Sequence, residues 1–199
     1  MSSLKINAGN PISVLSRLLD RLTIDRIPQV KNGKRVPDSL PRGSYKFIPN
    51  NLVAVFNQFE LIHTFMGYRP TDLKFIDVGC GIGNIMLIAQ AYFYTVHGIE
   101  LEPTYIKLAR EILSIKKNTN KTAIFKQDIL NFKDYRKYDI IYYYCPFEDP
   151  VQQKILELKI EDKTKVGAII LPFLKQSSAI IKDSRFERFG NIGYRKVST

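Results

Sequence analysis

The sequence is poor in cysteine and histidine. Only Cys80 and Cys145 occur in its 199 residues. That is too few for a disulfide framework and far from any spaced zinc pattern, so a reducing, intracellular compartment and no metal site are expected. The two histidines, His63 and His97, lie outside every candidate loop and read as packing residues. No stretch approaches the roughly 18 apolar residues of a membrane span. The opening MSSLKINAGNPISV lacks the basic-then-apolar pattern of a secretory leader. A cytoplasmic protein that does not work in a membrane is therefore expected. Acidic residues are also in deficit, with 19 Asp and Glu against 30 Lys and Arg, a net charge of +11. That surplus suits nucleic acid, an anionic membrane surface or an acidic protein as partner, and it serves plain solubility equally well.

The charge is unevenly placed. Residues 1–50 hold nine basic and three acidic side chains, 51–110 four and five, and 111–199 seventeen and eleven. A near-neutral centre between basic flanks suggests a buried, specific site in the centre and partner-facing flanks. With 45% hydrophobic residues the chain can build one core. Pro11, Ile12, Val14, Leu15, Leu18, Leu19 and Leu22 read as a short amphipathic helix, and residues 27–46, with three prolines and two glycines among basic residues, as a loop or arm. Residues 1–46 are thus expected to form an N-terminal helix and basic arm ahead of a globular domain over 47–199.

Within that domain Asn50 or Asn51 caps a predicted helix that runs to about Met66 and ends at Gly67. Strand and helix then alternate. The strands are LKFIDVG, TVHGIEL, TAIFKQD, YDIIYYYC and VGAIILPF, with helices from about Asn84, from Pro103 to about Ile115 and from about Pro150 to Leu158. Apolar strands separated by crossovers predict a doubly wound α/β fold with a mostly parallel sheet. SRFERF and YRKVS, joined at Gly190–Gly193, predict an antiparallel C-terminal hairpin and a seven-stranded sheet.

The most informative segment is Asp77-Val78-Gly79-Cys80-Gly81-Ile82-Gly83-Asn84, which carries a strand into a helix. Glycines there let the backbone turn sharply and approach a nucleotide-type ligand at the carboxyl end of the first strand. The dinucleotide fingerprint needs its third glycine where Asn84 stands, and no Lys-Ser/Thr follows, so NAD binding and ATP hydrolysis are disfavoured.

This segment resembles motif I of class I S-adenosylmethionine-dependent methyltransferases, and the resemblance runs from about Tyr45 to the C-terminus. It implies that Asp77, Gly79, Cys80, Gly81, Gly83 and Asn84 bind the cofactor, with Asp77 near its methionine end. It also implies that Glu100, with Leu101 beside it, accepts from the ribose hydroxyls, and that Asp128, with Ile129, meets the adenine amino group. The acceptor side is expected at Tyr144-Cys145-Pro146-Phe147, after the fourth strand. Amino-directed methyltransferases of adenine or glutamine carry Asn/Asp-Pro-Pro-Tyr/Phe there, and this chain keeps only the last two positions. The block YKFIPNN resembles the entry segment of small seven-strand protein lysine methyltransferases and the non-SET histone lysine methyltransferases, which would place Tyr45, Phe47 and Pro49 beside the methionine or acceptor channel.

Methylation of a protein lysine is therefore the leading expectation. The same fold acting on RNA or DNA is the alternative, and a catalytically silent cofactor-binding scaffold the third reading. NFKDYRKYD and SRFERFGNIGYRK interleave aromatic and basic residues, which suits either base stacking or ordinary amphipathic packing.

Overall fold

A sheet covered on both sides needs strands that are apolar on both faces, and the central strands have that character. In β1 (Thr71–Val78) Phe75 packs to one side with Val96 and Ile140, while Ile76 and Val78 pack to the other with Ile99 and Ile141. The computed structural model describes residues 52–66, 71–114, 121–173 and 179–199. The expected helix over 12–22, the arm over 27–46, the Asn50/Asn51 cap and the Gly67 stop lie outside those residues.

The chain runs through α1 (Leu52–Phe65), β1, α2 (Asn84–Ala89), β2 (Phe93–Glu100), α3 (Pro103–Ser114), β3 (Lys121–Lys126) and a single 3-10 turn at Tyr135–Lys137. It continues through β4 (Ile140–Tyr144), α4 (Pro150–Lys163), β5 (Ile169–Phe173), α5 (Ala179–Lys182), β6 (Phe186–Phe189) and β7 (Gly193–Lys196). The seven strands form one sheet in the order β3-β2-β1-β4-β5-β7-β6. Strands β1 to β5 are parallel, and β7 is antiparallel to both β5 and β6. This is the predicted doubly wound sheet with its C-terminal hairpin. The order reverses between β1 and β4, and such a switch point opens a crevice at the strands' carboxyl ends.

Helix α1 covers one face with Leu52, Val55, Phe59 and Ile62. Phe59 meets the rings of Phe75 and Phe93 edge-on at 5.3 and 5.2 Å, and those two stack on each other at 5.3 Å. Removing the fully buried Phe59 ring would cost about 3–5 kcal/mol.

Helix α4 is five residues longer than the pattern predicts. Ile160 and Glu161 continue its buried face, and the end is capped from another element. Lys196 Nζ on β7 donates to the Glu161 and Asp162 carbonyls at 3.0 and 3.1 Å, where the last turn leaves acceptors without helical partners. Among the described residues no helix is long and apolar enough to cross a membrane.

Candidate active site

The glycine loop leaves β1 in the left-handed region. Gly79, Gly81 and Gly83 have φ of +80°, +50° and +77°. A Cβ on Gly79 would stand 3.2 Å from Pro146 Cβ, and one on Gly83 would stand 3.1 Å from Ala109 Cβ. The loop is fastened to β2 by its own backbone. The N–H groups of Gly79 and Cys80 both donate to the Ile99 carbonyl, at 3.0 and 2.9 Å, and Gly83 N–H donates to the Cys80 carbonyl at 2.9 Å. Asn84 is buried at the first position of α2, where its Oδ1 accepts from Ile85 N–H at 3.0 Å.

Glu100 ends β2 and is buried. Its Oε2 accepts from Gly81 N–H at 2.9 Å, and its Oε1 from Leu101 and Glu102 N–H at 2.7 and 2.9 Å. Burial pushes its carboxyl upward, against the pull of those three donors. An ionised carboxylate offers about four acceptor sites. With three taken, one is left for a ligand hydroxyl, a narrower provision than the expected pair of ribose contacts.

Asp77 is paired with Gly98, two residues before that acid on β2, and with Tyr142 on β4. It is 2% exposed, and its Oδ2 has no hydrogen-bond partner among the described residues. Burial first, and the Glu100 charge second, push its carboxyl up to about 8. A buried acceptor with no partner calls for a proton or a ligand donor. Burial, reinforced by Asp77 and Glu100, holds the Cys80 thiol well above its ordinary range, so it stays a thiol.

At the end of β3, Asp128 closes a turn on itself, accepting from Leu130 N–H at 2.8 Å through Oδ1 and from Asn131 Nδ2 at 3.2 Å through Oδ2. Ile129 beside it is buried, and its carbonyl accepts from Tyr135 O–H at 3.2 Å. Lys159 Nζ on α4 donates to the Leu130 carbonyl and ties this turn to the helix. Leu101 is half-buried at the head of α3.

The tyrosine run at β4 divides by the pleat. Tyr142 packs into the α1 side of the sheet and Tyr143 into the α4 side. Tyr144 is half-buried at the strand's end, edge-on to Phe173 of β5 at 4.8 Å. Cys145 follows with φ of +28°, unusual for a residue with a side chain and worth about 1–3 kcal/mol of strain. Pro146 rests where a Gly79 side chain would go, and Phe147 turns its ring into the core, 3% exposed. Tyr45, Phe47 and Pro49 lie outside the described residues.

The structure thus brings together Asp77, the glycine loop, Glu100 and the 144–147 turn, with the Asp128 turn one strand further out. His97 is elsewhere. It is half-buried between Phe125 and Tyr138, with Nδ1 2.9 Å from Tyr138 Oη, and burial aided by Lys74 lowers its affinity for a proton. His63 lies edge-on to Tyr92. Among the described residues no group of three His, Cys, Asp or Glu side chains is placed to hold a metal.

Sequence reasoning missed three residues here. A Cβ on Gly98 would lie 2.5 Å from Met86 Sδ and 2.6 Å from Cys80 Sγ, so this strand glycine makes room for the loop above it. A glycine inside an apolar strand is a signal for such close approach. Gln153 and Glu157 of α4 are both fully buried, and nothing in the pattern marks them, since polar residues on a helix ordinarily face water.

The residues present fit S-adenosylmethionine. The glycine loop would give it a surface without side chains, Glu100 would accept from its ribose, and the buried, unpartnered Asp77 carboxyl oxygen would be the candidate partner for its ammonium. The solved structures of similar fold agree with that arrangement of strands. An RNA methyltransferase from Salinibacter ruber, in complex with S-adenosyl-L-homocysteine, matches with a TM-score of 0.53 at 17% identity, over 75% of this chain and 92% of its own. The N-methyltransferase NodS from Bradyrhizobium japonicum WM9 matches with a TM-score of 0.53 at 12% identity, over 76% of this chain and 100% of its own. At those identities the likeness speaks for the fold alone. No curated protein matches the sequence significantly. The sequence pattern of one family, described as a methyltransferase domain, matches residues 71–188, from the first strand into the sixth. That match spans more than half of the chain, and this protein belongs to the methyltransferase-domain family.

Proposed function

We propose that this methyltransferase transfers a methyl group to the side-chain amine of a protein lysine. Bound S-adenosylmethionine supplies the electrophilic methyl group on a sulfonium centre. The chain's own contribution is placement and a matched electrostatic surrounding, which suffice for a direct displacement.

One observation carries the choice of acceptor. The half-buried pair Tyr144–Phe173 stands at the carboxyl ends of β4 and β5, beside the strand that bears Asp77, and offers aromatic edges and faces to a cationic or amine group. Of the aromatics that would serve base stacking, Phe132, Tyr135, Tyr138 and Phe189 are buried, while Phe186 and Tyr194 on the C-terminal hairpin are half-buried. A lysine amine must lose its proton before it attacks, and its ordinary pKa is about 10.4. Entry into an apolar site next to a sulfonium lowers that value through desolvation and like charge, with no strong base required.

The +11 charge favours a lysine borne on an acidic protein surface or on an assembly containing nucleic acid. A nucleic-acid acceptor is the second reading, favoured by the exposed Lys133, Arg136 and Lys137 around the 3-10 turn. Acetylation of lysine amines in a cell extract separates the two. The lysine reading predicts that the acetylated extract no longer accepts tritiated methyl groups, and undiminished labelling of that extract contradicts it.

A further inference from the structure

Behind the turn that follows β4 lies a buried polar ladder on α4. Gln153 and Glu157 have no exposed surface and stand one helical turn apart on the face turned to the sheet. Gln153 Oε1 accepts from Phe147 N–H at 3.2 Å, and Gln153 Nε2 donates to Glu157 Oε1 at 2.9 Å. The helix start is locked to the same turn, with Asp149 Oδ1 accepting from Val151 N–H at 2.8 Å and the Asp149 carbonyl accepting from Gln153 N–H at 3.0 Å.

Burying an amide and a carboxylate stabilises a fold no better than packing apolar groups would. Their position gives another reason. Cys145 holds a left-handed backbone, and Pro146 has no N–H, so Phe147 N–H is the first main-chain donor beyond the strained residue. That donor is the one Gln153 holds. Pro146 in turn abuts Gly79, so the turn's path and the glycine loop's path are set against each other.

We infer that Gln153, braced by Glu157, is a positioning residue that holds the 145–147 turn against the glycine loop and so fixes where the methyl acceptor sits. The inference rests on the reading that this turn borders the acceptor. Gln153 touches neither substrate nor cofactor and acts only through Phe147.

The test compares Gln153→Leu, Gln153→Glu and the double exchange Gln153→Glu/Glu157→Gln with the unmodified protein. Iodoacetamide labelling mapped by mass spectrometry reports Cys145 and Cys80 separately, S-adenosylhomocysteine affinity is read by calorimetry, and tritium transfer into cell extract is read at saturating donor. Gln153→Leu should speed Cys145 labelling about tenfold and cut transfer about tenfold, while Cys80 labelling and S-adenosylhomocysteine affinity stay within about threefold. Gln153→Glu keeps an acceptor for Phe147 N–H but sets two carboxyl groups together, and its effect should fall between those of Gln153→Leu and the unmodified protein. The double exchange restores one amide and one carboxylate, with an acceptor for Phe147 N–H, and should recover Cys145 protection and transfer. Equal acceleration at both cysteines, affinity falling in step with transfer, or released Cys145 with undiminished transfer would each overturn the assignment. If the unmodified protein labels nothing, the proposed activity fails, and Cys145 labelling still decides whether Gln153 holds the turn.

Discussion

Gly81 donates its backbone N–H to Glu100 Oε2 across 2.9 Å, so the loop that leaves the first strand hangs on the acid that ends the second. Glu100 fastens the loop, and under the proposed function it would also accept from the cofactor's ribose. Glu100→Ala leaves the Gly81, Leu101 and Glu102 donors without this acceptor. It should cost about 1–3 kcal/mol of stability and a similar amount of S-adenosylmethionine affinity. Calorimetry with thermal melting checks both. Glu100→Gln keeps one carbonyl oxygen and should fall between.

Asp77 makes the cofactor-free protein sensitive to pH. Its carboxyl titrates near 8 when folded and near 3.8 when exposed, so between those values the folded state holds a proton that the unfolded state has released. Stability therefore falls as pH rises from about 4 through 8. Glu100, shifted the same way, adds to the slope. Asp77→Asn should flatten the slope and raise the melting temperature at pH 9, by roughly 2–4 °C for each kcal/mol recovered. The same variant should lose cofactor affinity. Melting curves across pH 5–9 decide it, and an unchanged slope would free Asp77 of the effect.

Gly98→Ala tests the space beneath the loop. The new methyl group would meet Met86 Sδ and Cys80 Sγ well inside contact distance. The expected cost is about 1–3 kcal/mol of overpacking, with weakened cofactor binding because Cys80 must move. Denaturant unfolding and a cofactor titration measure the two effects.

Tyr144 divides ring from hydroxyl. Tyr144→Ala should lower methyl transfer about tenfold by removing the aromatic surface beside Phe173, with cofactor affinity unchanged. Tyr144→Phe should retain most activity. Equal losses in both variants would assign the role to the hydroxyl instead.

Much of this was legible in the sequence because the signals are local. Alternation of apolar strands and helices gives the parallel sheet, and glycines with Asp77 at a strand end mark the ligand crevice. The GNIG segment announces the hairpin. What escaped depends on long-range packing. α4 runs past Leu158 because Lys196, far along the chain, caps it. Gln153 and Glu157 read as a solvent face until β4 and the Phe147 turn cover them. The aromatic–basic segments are compatible with base stacking in sequence, yet Phe132, Tyr135 and Tyr138 are buried beneath the sheet's helices.

The most direct test of the account is incubation of the protein with methyl-tritiated S-adenosylmethionine and cell extract, followed by parallel protease and nuclease digestion and acid hydrolysis. The account predicts label that protease releases, nuclease leaves intact and hydrolysis yields as methyllysine. Label released by nuclease alone would contradict it and make the basic surface the grip on the substrate.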